Sequence, residues 1–407
     1  MKGFLIILLL ALVQPAFSLP EFCRKVGANA VVAAGFLHSA LNPTPYVPNH
    51  NIPEPAKVVH VQASANHQTE FEAFAKQENL TVSTFNVLNL AMHVGRFEPD
   101  AKTGKRVQKD EIREKDKEAI KKTAETLREL TSDIIFLQEV EDQETLDNFM
   151  KAHEDLLGRK YIGLLIEAND SRGIDVAVMI RADLGLEYEY VSHQNMPWHS
   201  DAYPERDKVF SRDATALIAR RPGNPKPLFI ILNTHSKSKR TEIEGDPESY
   251  LIREGQGHAL TDLKAYYEKL YPGVPIMLAG DMNNNANTAP EYAPLKDPHH
   301  GNMKDAFDLV TNPMKQDDDD RVTHTYHPLD EQHHELPAHK DQMDIILVND
   351  VAAPLVKSAK VHKYHNDWTG QEYPSANTFA QRKHQPSDHR PVRVEFDLQK
   401  LLKVWSN

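Results

Sequence analysis

The tetrapeptide Gly280-Asp281-Met282-Asn283 follows the apolar run Pro275 to Ala279, so a carboxylate and an amide stand at the C-terminal end of a buried strand. Chemistry collects at such sheet edges. There a glycine permits close approach of the backbone to a ligand, a carboxylate holds a metal or activates water, and an amide donates to an oxyanion. Four further polar clusters end strands in the same way: Phe85-Asn86, Gln138-Glu139, Asn233-Thr234-His235 and Ser387-Asp388-His389. Together they read as a metal-assisted phosphoester site assembled from most of the chain.

Glu139 ends a buried strand, where a lone carboxylate is costly unless paired or bound to a metal. Two readings of it stand equal. It is a ligand for a hard cation such as magnesium, which takes one or two carboxylates beside water and phosphate oxygens, or it caps a helix starting near Glu141. Asn86 is equally open. Asp344 and His389 are expected to touch, because an aspartate beside an imidazole fixes its tautomer and raises its basicity. The chain holds 21 histidines, and only strand-end context lifts His235 and His389 above the rest.

The elements that must position these groups follow from apolar periodicity. Thr81 to Val87 is a β-rich first strand, and Ile120, Ala124 and Leu127 mark one face of a helix over Ile112 to Leu130. Asp133 to Val140 is a continuous apolar strand, and Glu141 to Leu157 a helix closed by Gly158. Four strand-like runs come next, over Tyr161 to Glu167, Asp175 to Arg181, Ala214 to Arg220 and Leu228 to His235. Helical periodicity returns over Glu248 to Tyr271, and further strands are expected over Pro275 to Asn283, Met343 to Val348, Val356 to Lys363 and Pro391 to Leu398. About ten strands with a few amphipathic helices predict an α/β protein of two packed sheets flanked by helices.

Composition bounds the rest. With 407 residues, 40% hydrophobic and 26% charged, the chain has the profile of an ordinary globular protein. Met1 to Ser18 has the charged start, apolar core and small-residue cleavage site of a secretory signal peptide, which predicts a secreted or periplasmic protein. Cys23 is the only cysteine, so an intrachain disulfide is excluded. Residues 19–78 are rich in proline and read as an irregular arm, with one short helix expected around Val26 to Ser39, and the catalytic domain is placed at 79–400. The net charge of −12 argues against unspecific binding to nucleic acid, so any polyanion must be met by local groups such as Lys237-Ser238-Lys239-Arg240.

The motifs Phe85-Asn86-Val87-Leu88-Asn89, Leu137-Gln138-Glu139-Val140, Leu232-Asn233-Thr234-His235, Gly280-Asp281-Met282-Asn283, Met343-Asp344-Ile345-Ile346 and Ser387-Asp388-His389-Arg390-Pro391 occur in one order. In that order the chain resembles the endonuclease/exonuclease/phosphatase superfamily, the DNase I-like fold, over residues 80–398. The resemblance implies a four-layer α/β sandwich of two mixed β-sheets between helices. It further implies that Asn86 and Glu139 lie on the metal side, with Asp388 meeting the metal directly or through water. Asp281 and Asn283 would orient water and bind the phosphate, Asp344 and His389 would form an acid/base dyad, and His235 would be a second active-site histidine, oriented by Glu167. Arg212, within Phe210-Ser211-Arg212-Asp213, would hold a phosphate.

The segments around Arg172-Gly173-Ile174-Asp175 and His235-Ser236-Lys237-Ser238-Lys239 are similar to those of bacterial secreted nucleases. That similarity puts Arg172, Lys237 and Lys239 beside the substrate phosphate. Two departures are Ser236, where those nucleases carry an apolar residue, and the acidic run Asp317 to Asp320. The expectation is a monomeric, secreted hydrolase using magnesium, with manganese or calcium as substitutes, on DNA or else RNA, without stable membrane association. Alternatives are a phosphatase or phospholipase-type activity on inositol phosphates or sphingomyelin, and a binding protein without turnover. The intact residue set speaks against the last.

Overall fold

Strands that read as unbroken apolar runs must be covered on both faces, which demands layers. A computed structural model describes residues 51–91, 96–99, 106–109, 117–170, 172–198, 203, 205–241, 245–311, 313, 315, 319–326, 336–337, 339–364 and 385–406. The expected signal peptide, the helix expected over Val26 to Ser39 and the first part of the arm lie outside these residues. In chain order the elements are β1 (Lys57–Val61), α1 (His67–Phe74), β2 (Asn79–Leu90), β3 (Arg96–Pro99), β4 (Arg106–Lys109), α2 (Lys117–Leu130), β5 (Ile134–Val140), α3 (Gln143–Ala152), α4 (Glu154–Leu157), β6 (Tyr161–Leu165), β7 (Asp175–Arg181) and β8 (Glu187–Ser192). There follow β9 (Ala214–Arg220), β10 (Phe229–His235), α5 (Tyr250–Leu270), β11 (Ile276–Asp281), α6 (Ala293–Lys296), β12 (Lys304–Asp305), β13 (His324–Tyr326), β14 (His339–Asp341), β15 (Asp344–Val348), β16 (Val356–Val361), β17 (Val392–Asp397) and α7 (Leu398–Ser406).

One sheet runs β1-β8-β9-β10-β11-β15-β12 and the other β16-β17-β2-β5-β7-β6. Strand alternation divides the core. Phe136, Val178, Leu217, Ile231 and Ile346 pack between the sheets. Ile135, Leu137 and Met179 face outward onto Ala124 and Leu127 of α2 and Phe149 of α3, while Ile230, Leu232 and Leu278 meet Leu260 and Leu263 of α5. Helix, sheet, sheet and helix therefore stack as the four expected layers. Among the described residues no helix is long and apolar enough to cross a membrane.

Two expectations need correction. The end of the proline-rich arm is part of the fold, because β1 pairs antiparallel with β8 as an edge strand and α1 buries Phe71 and Phe74 in the core between the sheets. Its strand is short and at most half-buried, so it shows no long apolar period. The second concerns Glu139, which does not cap the following helix: Asp142 does, its carboxylate accepting from the Thr145 amide. That helix is also broken at His153 into α3 and α4.

Topology then builds one rim. Within each sheet β2 and β5, and β10 and β11, run parallel. Their carboxyl ends bring Asn86, Glu139, His235 and Asp281 to the same edge of the sandwich. The antiparallel neighbours β9, β15 and β17 present their amino ends there, so Arg212, Asp344 and His389 arrive from the other direction.

Candidate active site

Gly280 sets the spacing at the centre. Its φ is +149°, and a Cβ there would stand 2.0 Å from the Thr234 carbonyl oxygen of the parallel neighbour. The glycine is required by the adjoining strand rather than by a ligand, and the register it permits puts Asp281 opposite His235. Both Asp281 oxygens are fixed: Oδ1 accepts from the Asn283 amide at 2.7 Å and Oδ2 from Asn86 Nδ2 at 2.9 Å. Asn283, at φ 52°, turns its side chain to donate to the Ser236 carbonyl at 3.0 Å. Leu88, Asn89, Glu139 and Asn283 are four of the eight non-glycine residues with positive φ among the described residues, so backbone strain concentrates at this rim.

His389 Nδ1 lies 2.7 Å from Asp344 Oδ2, and its Nε2 is 3.8 Å from Asp281 Oδ2. Burial alone would lower this imidazole, but Asp344 and Asp281 outweigh it and hold the His389 pKa well above the usual histidine range. The dyad is braced from outside. The Met343 and Asp344 amides both donate to Thr323 Oγ1 at 2.9 Å, and the His389 carbonyl accepts from Tyr364 at 2.6 Å. His235 takes the opposite state. Burial first, then Arg212 and His389, drive its pKa well below the ordinary value, so it is neutral, with Nε2 3.4 Å from Asp281 Oδ2 and Nδ1 buried without a partner.

On the far side of Asp281, Glu139 has φ 67° at an irregularity in the ladder between β5 and β7. Its carboxylate accepts from the Asn89 amide at 3.0 Å and lies 3.9 Å from His235 Nε2. Among the described residues no lysine or arginine forms an ion pair with it. Burial raises its pKa; Arg212 opposes this from a distance, and Asp388 and Asp281 add to it. Burial also raises Asp281.

Glu139, Asp281 and Asp344 therefore converge where, among the described residues, His389 is the cation in direct contact with two of them, and Asp388 adds its charge nearby. A hard divalent cation fits this surplus of oxygen donors. Two placements compete. Single atoms of Asp281, Asp344 and His389 lie within 4.8 Å of one another, but the short Asp344 bond already occupies His389 Nδ1. Glu139, with no lysine or arginine partner among the described residues, offers the second placement beside Asn86, and Asp281 borders both.

The expected phosphate-holding residues fare differently. Arg212 is buried and aimed at the site: it donates to the Ser236 carbonyl at 2.8 Å and pairs with Asp170 at 3.0 Å. Ser236 thus joins Arg212 to Asn283 through its carbonyl, which any side chain could supply. Arg172 is half exposed and also bound to Asp170, at 3.2 Å. Lys239 Nζ is 3.3 Å from Asp341, and Lys237 is half-buried close enough to His235 to depress its pKa. Glu167 does not orient His235; it is exposed and offers its carbonyl to Gln194.

Sequence reasoning missed Asp170, Thr323 and His324. No local signal marks Asp170 or Thr323. His324 forms a bridge with His389 in the backbone and puts its ring 4.7 Å from that of His389. Gln138 Nε2 donates to Asn233 Oδ1 at 2.9 Å and ties the two sheets together beneath the site.

A four-layer sandwich with a carboxylate, amide and imidazole cluster on one rim defines a class of phosphoester-processing enzyme. The model of the Endonuclease/Exonuclease/phosphatase family matches residues 83–389, and the chain belongs to that family, whose members are phosphoester hydrolases. Comparison with curated proteins gives no match. Among solved structures, truncated TDP2 of Caenorhabditis elegans is similar at 17% identity over 78% of this chain and 98% of its own, with a TM-score of 0.46. D. rerio TDP2 complexed with single strand DNA product is similar at 15% over 79% and 99%, TM-score 0.47. The human Nocturnin catalytic domain with bound sulfate anion is similar at 17% over 84% and 96%, TM-score 0.48.

Proposed function

We propose that this protein is a secreted, divalent-metal-dependent phosphodiesterase that hydrolyses DNA, or RNA by the same chemistry. The observation that carries the reading is Asp281, whose two oxygens are fixed by Asn86 and Asn283 between a protonated imidazole and a glutamate that has no lysine or arginine partner among the described residues. Export rests on the Met1 to Ser18 segment alone.

Each side chain has a distinct task. Asp281 and Asn283 orient the attacking water, and Asp281 accepts its proton as the new P–O bond forms. His389, held charged by Asp344, donates to a phosphoryl oxygen and stabilises the negative charge that develops there. Neutral His235 and the Arg212 guanidinium face the phosphate from the opposite side. Glu139, with Asn86 and Asp388, would hold a magnesium ion, or manganese or calcium in its place; when bound, the ion neutralises phosphoryl and leaving-group oxygens. The ester P–O bond breaks, and the departing oxygen takes up a proton from solvent water.

Supercoiled plasmid incubated with the mature protein and magnesium tests the reading, beside reactions with chelator and with Asp281→Ala. Nicking followed by linear or degraded DNA, lost in both controls, is expected. Intact plasmid together with product release from inositol phosphate or sphingomyelin would replace the nucleic-acid reading with a phosphatase or phospholipase one.

A further inference from the structure

The small hairpin of β13 and β14 is absorbed by none of the roles above, yet it abuts the catalytic dyad. Register pairs His324 with Asp341, Thr325 with Lys340 and Tyr326 with His339. Directly paired residues share a face and alternate along the strand, so His324, Tyr326, His339 and Asp341 lie on one face and Thr325 and Lys340 on the other. The first face is the catalytic one, because His324 carries its ring against that of His389.

We propose that this face is a stacking platform for an unpaired nucleobase next to the phosphate being cut, with Tyr326 as the stacking ring. The proposal rests on the nucleic-acid reading and names the part of the substrate that the hairpin takes. Tyr326 is 55% exposed, the most exposed large apolar side chain among the described residues. It stands two residues, ~7 Å, along the strand from His324, a step outward from the dyad such as one nucleotide would make. On the same face Asp341 holds Lys239 Nζ at 3.3 Å, which sets a cation beside the path of the phosphate backbone. Aromatic rings combined with a cation along the backbone are what single-stranded nucleic acid binds.

The base of the platform is tied to the dyad by backbone bonds. The Thr323 carbonyl accepts from the Arg390 amide at 2.8 Å and the Thr323 amide donates to Asp341 at 3.1 Å, so the hairpin is stitched to the His389 segment. Beneath it, buried Arg321 is clamped by Asp305 and Asp308. The acidic run that could repel a polyanion is partly neutralised: Asp319 pairs with Lys340, from the opposite face, and Asp320 with Lys363.

The test is quenching of a short single-stranded phosphorothioate oligonucleotide that carries 2-aminopurine, a base whose fluorescence falls on stacking. Wild-type protein is expected to quench it. Tyr326→Ala should bind about tenfold more weakly, ~1.4 kcal/mol, as the loss of one base–aromatic stack does. Tyr326→Phe and Tyr326→Trp should retain quenching, because the ring and not the hydroxyl does the stacking. Equal binding by Tyr326→Ala, a loss in Tyr326→Phe as large as in Tyr326→Ala, or no quenching by wild type overturns the platform. Plasmid cleavage by wild type with unchanged quenching in Tyr326→Ala would sink the platform alone. Quenching without cleavage of any nucleic acid would instead sink the hydrolytic reading and leave the platform standing.

Discussion

Replacing Gly280 by alanine attacks the site through its scaffold and removes no polar group. The added Cβ would lie 2.0 Å from the Thr234 carbonyl oxygen, 3.0 Å from its carbonyl carbon and 3.1 Å from its nitrogen, all of them backbone atoms. No rotamer change can relieve that contact, so β11 must move away from β10 where Thr234 faces Gly280 and His235 faces Asp281. Overpacking of this kind costs ~1–3 kcal/mol, and a non-glycine residue at φ +149° adds ~1–3 kcal/mol of backbone strain. The sum, ~2–6 kcal/mol, is a large part of the ~5–15 kcal/mol that holds a domain folded. Guanidinium unfolding of Gly280→Ala against wild type reads it directly. Gly223→Ala is the control, since Gly223 has φ +76° with nothing within 4 Å and should cost only the ~1–2 kcal/mol of left-handed backbone. In the folded fraction, hydrolysis should fall by ~10²-fold, as a displacement near 1 Å of a reacting group does. Were Gly280→Ala no worse than Gly223→Ala, and its folded fraction fully active, the spacing of β10 and β11 would not be what places Asp281.

Asp344→Asn keeps the shape of the dyad and removes its charge, so the His389 pKa should drop and hydrolysis should fall ~10²–10⁴-fold, read as kcat in a pH series. Magnesium at about a hundred times its dissociation constant should stabilise wild type by ~2.7 kcal/mol in thermal melts; Glu139→Gln should lose most of that shift, and a full shift in the variant would move the ion to the Asp281, Asp344 and His389 placement. Burial lowers the His193 pKa from 6.5 to about 4, so the unfolded chain binds a proton that the folded chain refuses: stability is complete above pH ~6.5 and declines as pH falls to ~4, by about 3 kcal/mol. His193→Gln, which can still bond the Tyr267 hydroxyl that His193 Nε2 meets at 2.7 Å, should flatten that slope in denaturation curves taken across the range. Phe74→Ala should cost ~3–5 kcal/mol in the same assay, whereas a change below 1 kcal/mol would mean that α1 is not part of the core.

The site was legible where a buried strand ends in a polar residue, and illegible where a partner is chosen by the register of distant strands. Ile134 to Val140 and Ile276 to Asp281 are covered on both faces, so each reads as an apolar run whose last polar groups stand out. β8 alternates Glu187, Tyr188, Glu189 and Tyr190, and β1 lies at an edge, so neither shows such a run. The helix-cap reading of Glu139 failed for a tertiary reason: its φ of 67° comes from the irregular ladder against β7, and nothing in the residue type announces it. Asn86 and Asp281 hydrogen-bond across 195 residues of chain, and Arg212 meets Asp170 across 42. Strand-end chemistry nominates Asn86 and Asp281 singly, but only the packing of one sheet on the other makes them partners, and only the packing of a loop on a strand brings Asp170 to Arg212. His324 shows the same limit: one of 21 histidines in the chain, it acquires a place beside His389 only once Thr323 and Arg390 are in register. Thr323→Val should therefore remove the Asp344 brace, which its hydroxyl carries, and leave the ring contact, which its backbone carries.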